Sequence, residues 1–250
     1  MDFWASRGTV SAVDWCEPNY LHSPYVAEWW NTWSSLLIVG LAAYGLWQAR
    51  RAERRFSLAF VLLAMVGLGS VAFHGTLLKS AQASDELPMI LCGLAYAFIL
   101  INRKRPRAAV AAVLRREWPL VLGLVGYAAL VVFAYFSLAA YFHFFLAAYA
   151  LIVTYLSAGS LYLVFREDRR DEMKRLLFAS VGCYLGGLSL LWVPEHALLG
   201  CAHPLQSLQL HAIFHLTSAI GSYCWLRMMM HQRGEAFAAT ERALPDPVRC

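Results

Sequence analysis

Residues 31–49, 56–73, 87–102, 176–194 and 204–226 contain no Asp, Glu, Lys or Arg, and residues 118–165 add only His143 to an otherwise uncharged run. That longest run has room for two membrane crossings of about 20 residues each, with a break near Ser137-Leu138-Ala139. None of the runs alternates apolar and polar positions with period two. In lipid only helices and closed barrels satisfy the backbone, so unbroken apolar runs predict helices. The pattern therefore predicts an all-α membrane protein, a seven-transmembrane-helix bundle over residues 31–230. An extracytoplasmic segment, residues 1–30, precedes it. A polar tail, residues 231–250, follows and contains Pro245 and Pro247.

Composition narrows the class further. The chain is 60% hydrophobic and 15% charged, against about 25% charge in a soluble domain. Of the 21 basic residues, all but Arg7 and Lys79 fall on the side of the bundle that holds the C-terminus. Basic loops stay inside, so the C-terminus is expected in the cytoplasm and the N-terminus outside or in a lumen. The net charge of +5 then reflects topology and anionic headgroups, with membrane lipids as partners and no nucleic acid. No basic-then-apolar signal peptide opens the chain, so the first span is expected to direct insertion. The Ala-, Leu- and Arg-rich texture favours a bacterial inner membrane, with an ER or Golgi membrane the expectation for a eukaryote.

Candidate chemistry emerges once the spans are oriented. His74 ends the second span, and His211 and His215 begin the seventh, which places all three near the outer face. Ser84-Asp85-Glu86 opens the third span on that side, and Glu195 and His196 end the sixth there. Ionisable groups inside apolar spans are costly and mark functional sites. His211 and His215 are four residues apart and share one helical face. Two histidines on one helix and a third from another form the three-histidine set of a catalytic zinc site, where water takes the fourth position. Ser70 lies one turn deeper than His74 on its face. Asp85 is a candidate general base, with helix capping as its bland alternative.

Two further groups sit on the outer side. Asp14-Trp15-Cys16-Glu17-Pro18-Asn19, followed by Glu28, gathers oxygen donors of the kind hard cations take, although a solvated acidic loop explains such a segment as well. Cys16 and Cys201 share an oxidising compartment, which permits a disulfide. Cys92, Cys183 and Cys224 fall within spans as packing residues. Trp29, Trp30 and Trp33 mark the outer headgroup belt.

Taken together, DWCEPNY at 14–20, AEWWNTWS at 27–34, GSVAFHGTL at 69–77, DELPMI at 85–90 and HAIFHLTSAIGSY at 211–223 resemble the alkaline ceramidase family. That family is a branch of the seven-span intramembrane hydrolases that include the adiponectin receptors. The resemblance implies Zn²⁺ held by His74, His211 and His215, with Ser70 and Asp85 catalytic. It implies Ca²⁺ held by Asp14, the Trp15 carbonyl, Glu17, Asn19 and Glu28, and it is similar in its Cys16–Cys201 bridge. The implied reaction is hydrolysis of ceramide, reaching the site from the bilayer, to a fatty acid and a sphingoid base. Asp85 would act as proton acceptor and donor, and the Ser70 hydroxyl would help stabilise the oxyanion. Two alternatives stay open on the residues alone: a hydrolase of another lipid amide or ester, and a seven-helix receptor or transporter with a structural metal. Acyl preference and oligomeric state are not legible.

Overall fold

The computed structural model describes residues 3–50, 52–104, 115–199, 201 and 203–243. Pro245 and Pro247 lie outside that set, as do the basic residues Arg51, Arg105, Arg107 and Arg249 and the terminal Cys250, together with the side chains of His196 and Arg242. The described residues form helices and connecting turns with no strand, apart from one isolated antiparallel bridge between Val10 and Leu78. The long helices are α1 (Trp29–Ala49), α2 (Arg54–Thr76), α3 (Lys79–Ile101), α4 (Trp118–Ser137), α5 (Tyr141–Tyr162), α6 (Asp171–Gly187) and α7 (Leu210–Ala243). Widened turns at Leu188–Trp192 and Pro194–Leu199 carry the chain out of α6, and a short turn at Pro204–Leu208 leads into α7.

Among the described residues, five helical segments are long and apolar enough to cross a membrane: α2, α3, α4, α5 continued to Glu167, and α6 continued to Trp192. Helices α1 and α7 have the length, at 21 and 34 residues. They do not reach the same apolarity because polar side chains occupy their outer turns: Asn31, Thr32, Ser34 and Ser35 on α1, and His211, His215, Thr217 and Ser218 on α7.

Two boundaries differ from the hydropathy pattern. Helix α3 starts at Lys79, not at Ser84, so Asp85 sits inside the helix and Pro88 is internal. The polar first turn is held by the N-terminal segment: the Ala12 amide donates to Gln82 Oε1 at 3.0 Å, and the Lys79 amide to the Thr9 carbonyl at 2.8 Å. Helix α7 runs past residue 231 to Ala243. Arg233 on that extension is buried, donating to Glu53 Oε1 at 2.6 Å and to the Arg103 carbonyl at 3.0 Å. The expected break near Ser137 falls between α4 and α5.

Close packing of α2 on α3 sets the site. A Cβ added to Gly69 would lie 1.9 Å from the Ser84 carbonyl oxygen, so only glycine lets the two backbones meet there. That contact puts Ser70 and Asp85, the next residue on each helix, side by side. The link between the helices turns at Leu77, whose φ of 52° is left-handed. A non-glycine residue there costs roughly 1–2 kcal/mol. It is held by the Leu77 amide donating to Phe73 and by Ser11 donating to the Leu77 carbonyl.

Candidate metal and catalytic site

His74 near the end of α2 and His211 and His215 in the first turns of α7 are all buried. One ring nitrogen of each lies within 4.8 Å of the others. Their ring centroids are 4.6–5.1 Å apart. Each Nδ1 faces a partner away from the cluster. His74 Nδ1 hydrogen-bonds Glu28, His215 Nδ1 lies 2.8 Å from Ser34 Oγ, and His211 Nδ1 is 3.8 Å from Glu195 Oε2. With Nδ1 turned outward, Nε2 is the nitrogen that each ring could offer a metal. A second hydrogen bond on the outer nitrogen is how metal-binding histidines are oriented. Three imidazoles turned together, with no carboxylate of the described residues in the same group, fit a divalent metal with a position open for water or substrate.

Ser70 and Asp85 adjoin this cluster. Ser70 is buried beside the Asp85 carboxylate. Ser35 Oγ lies 3.0 Å from Ser70 Oγ and 3.4 Å from His215 Nδ1, so α1 stitches the serine on α2 to the histidine on α7. Asp85, Ser70 and the three histidines line one cavity.

The five residues expected to hold calcium gather at the outer end of α1. Asp14 and Asn19 are paired, Asn19 Nδ2 donating to Asp14 Oδ2 at 2.8 Å. Both Glu17 oxygens accept amides from the first turn of α1, Trp30 at 2.7 Å and Asn31 at 3.0 Å. Glu28 accepts from the Trp15 amide at 2.7 Å and from Asn31 Nδ2 at 3.2 Å. Burial pushes the Glu28 carboxyl well above its ordinary value; the Asn31 and Trp15 hydrogen bonds oppose this, and Asp14 and Glu17 add to it. Burial, with Glu17 nearby, pushes the Glu195 carboxyl up to about 7. Among the described residues no Lys or Arg forms an ion pair with Asp14, Glu17, Glu28 or Glu195. The oxygens of Glu17 and Glu28 instead accept backbone and side-chain amides, and among the described residues these carboxylates do not close into a ligand group as tight as the three histidines. Cys16 and Cys201 are disulfide-bonded, which ties this segment to the loop before α7.

The structure adds residues that the sequence reading left unassigned. Ser34 and Ser35 orient His215, and Glu195 stands behind His211. Glu28, expected on calcium alone, also reaches His74. Trp15, expected to offer only its carbonyl, stacks its ring on His211 with centroids 3.9 Å apart. A signal for Ser35 was present: Asn31, Ser35, Ile38, Ala42, Gly45 and Ala49 are the buried stripe of α1, and polar members of such a stripe must have buried partners.

From the histidines an apolar cavity of about 500 Å³ runs inward between α2, α3, α5, α6 and α7. Its volume lies within the usual range for sites that bury a whole small ligand.

Comparison with known proteins places these features. Residues 7–242 match the family model described as Ceramidase. The chain is 28% identical to mouse alkaline ceramidase 3, over 90% of this chain and 85% of that one. It is 29% identical to an Arabidopsis thaliana alkaline ceramidase, over 93% and 87%, and 28% identical to the Saccharomyces cerevisiae alkaline ceramidase YPC1, over 90% and 77%. These relatives are eukaryotic, which gives no support to the expected bacterial inner membrane.

Proposed function

Because the chain belongs to the ceramidase family, we propose that it cleaves the amide bond of ceramide at the His74–His211–His215 centre, releasing a fatty acid and a sphingoid base. The observation that carries this reading is the adjoining Ser70 and Asp85 set against three buried histidines at the head of an apolar cavity. The three histidines would hold zinc, which when bound acidifies water and polarises a carbonyl oxygen. Ser70 orients the substrate carbonyl through its hydroxyl and adds a donor where negative charge develops. Asp85 accepts the proton of the attacking water and delivers it to the departing amine nitrogen. The Ser35 hydroxyl holds Ser70 in place, and Trp15 covers His211 and limits water at the outer mouth.

The same reading has seven spans, the N-terminus on the extracytoplasmic side, and calcium at Asp14, the Trp15 carbonyl, Glu17, Asn19 and Glu28. In that position calcium neutralises carboxylates that otherwise repel one another and braces the segment lying over the histidines. A test is turnover of ceramide by the purified protein, with products identified by mass spectrometry. Asp85→Asn is expected to lower the rate by about 10²–10⁴-fold while the metal content stays at the wild-type level. Wild-type protein that holds its metal yet releases no fatty acid from ceramide would refute the proposal.

A further inference from the structure

The cavity ends at a floor, and the floor is built differently from its walls. On three helices the deepest lining residues fall at one level: Leu63 on α2, Tyr96 on α3 and Trp225 on α7. Leu63 is eleven residues from His74, Tyr96 eleven from Asp85, and Trp225 ten from His215. At a helical rise of 1.5 Å per residue these intervals agree on a depth of about 15–17 Å. That is about half of a hydrocarbon core roughly 30 Å thick, the length of chain that one leaflet accommodates.

Trp225 closes this level and is held on two sides. Its ring stacks on Tyr96 with centroids 4.8 Å apart and planes 8° from parallel. Its Nε1–H donates to Ser160 Oγ on α5 at 2.7 Å, so the indole's one polar atom is satisfied and its plane is fixed. Beneath it Ile99, Leu100, Leu163, Leu226 and Met228 are almost wholly buried in one close-packed cluster. A chain end reaching Trp225 therefore meets a rigid ring backed by a filled core, not a flexible side chain able to swing away.

We infer that the Trp225–Tyr96 stack is the stop that sets the longest acyl chain this protein hydrolyses. The inference rests on the ceramidase reading and deepens it. The acyl chain is the one placed in the cavity because it carries the carbonyl that must meet Ser70 and the histidines. The sphingoid head, with hydroxyls beside its nitrogen, suits the polar outer layer of Asp85 and Glu86. Replacing Trp225 with Ala removes the indole in the path of the chain end and deepens the cavity by at least the thickness of one aromatic ring, about 3.5–4 Å. At an advance of roughly 1.3 Å per carbon along a zigzag of C–C bonds near 1.5 Å, that admits on the order of three more carbons.

The test measures hydrolysis of two ceramide series, one varying the acyl chain and one the sphingoid chain, by purified wild type, Trp225→Ala and Ser157→Leu. Ser157 lines the cavity on α5 one turn before Ser160, so a larger side chain there shortens the available depth. The expected result is a wild-type cut-off in the acyl series that moves to longer chains by about three carbons in Trp225→Ala and to shorter chains in Ser157→Leu. No cut-off in wild type, an unmoved cut-off in the variants, or a shift confined to the sphingoid series would overturn the inference. Should Trp225→Ala not fold, the shortening in Ser157→Leu decides the matter alone. Thermal stabilisation by non-hydrolysable acyl amides of graded length provides a readout apart from turnover. If the stabilisation optimum shifts as described while no ceramide is cleaved, the stop stands and the ceramidase reading fails.

Discussion

Ser34→Ala removes a hydrogen bond behind the histidine cluster, together with a local one to the Asn31 carbonyl at 3.1 Å. In the native protein Ser34 Oγ lies 2.8 Å from His215 Nδ1, while Ser35 Oγ stands 3.4 Å from the same atom. Hydrogen bonds of this kind behind a ligating imidazole are worth about 10–100-fold in metal affinity, or about 1.4–2.7 kcal/mol. With Ser34 gone, Ser35 needs to move only a few tenths of an ångström to take over, although it also bonds the Asn31 carbonyl at 2.7 Å. The single change is therefore expected at the low end, about 10-fold weaker zinc binding, and the pair Ser34→Ala with Ser35→Ala near 100-fold. The assay is competition of purified protein against a chelator of known affinity at fixed pH, with zinc read by a fluorescent indicator. A double variant that binds zinc within a factor of about two of wild type would refute the view that these serines orient His215.

Three further outcomes follow from other parts of the molecule. His211→Ala with His215→Ala should abolish stoichiometric zinc, read by elemental analysis; retained zinc would remove the histidines as ligands. Cys16→Ser opens a bridge between residues 185 apart, for which the chain-entropy treatment gives about 5 kcal/mol as an upper bound. Wild-type melting should then fall with reductant while that of the variant does not. Arg233→Ala removes a charged hydrogen bond to Glu53 worth about 1.5–3 kcal/mol. Glu53 keeps Arg55 at 3.0 Å, so the melting temperature should drop without loss of the fold, and an unchanged value would show that the contact contributes nothing.

Much of the architecture could be read from the chain alone because hydropathy and charge report one coordinate, depth along the membrane normal. The apolar runs mark the helices, the break near Ser137 separates α4 from α5, and the expected topology puts His74, Asp85 and His211 together, in agreement with the single cavity they line. The four-residue interval between His211 and His215 adds the common face, since helical periodicity is local. Polar helix ends misled the same reading: α3 begins at Lys79 because Gln82 is held by the N-terminal segment, and α7 continues past residue 231 because Arg233 finds Glu53. Both are long-range contacts that no local window contains.

Rotation about each helix axis and distance between axes were decided by tertiary packing. Gly69 lets α2 touch the backbone of α3 at Ser84 and so brings Ser70 to Asp85. The buried stripe of α1 turns Ser34 and Ser35 towards His215, and the turns after α6 return Glu195 to His211. The disulfide and the Glu28 hydrogen bonds fold the N-terminal segment back over the cluster. Depth was written in the sequence because each residue's cost in lipid is its own. Juxtaposition was not, because it depends on which surfaces pack, and packing is a property of pairs of helices.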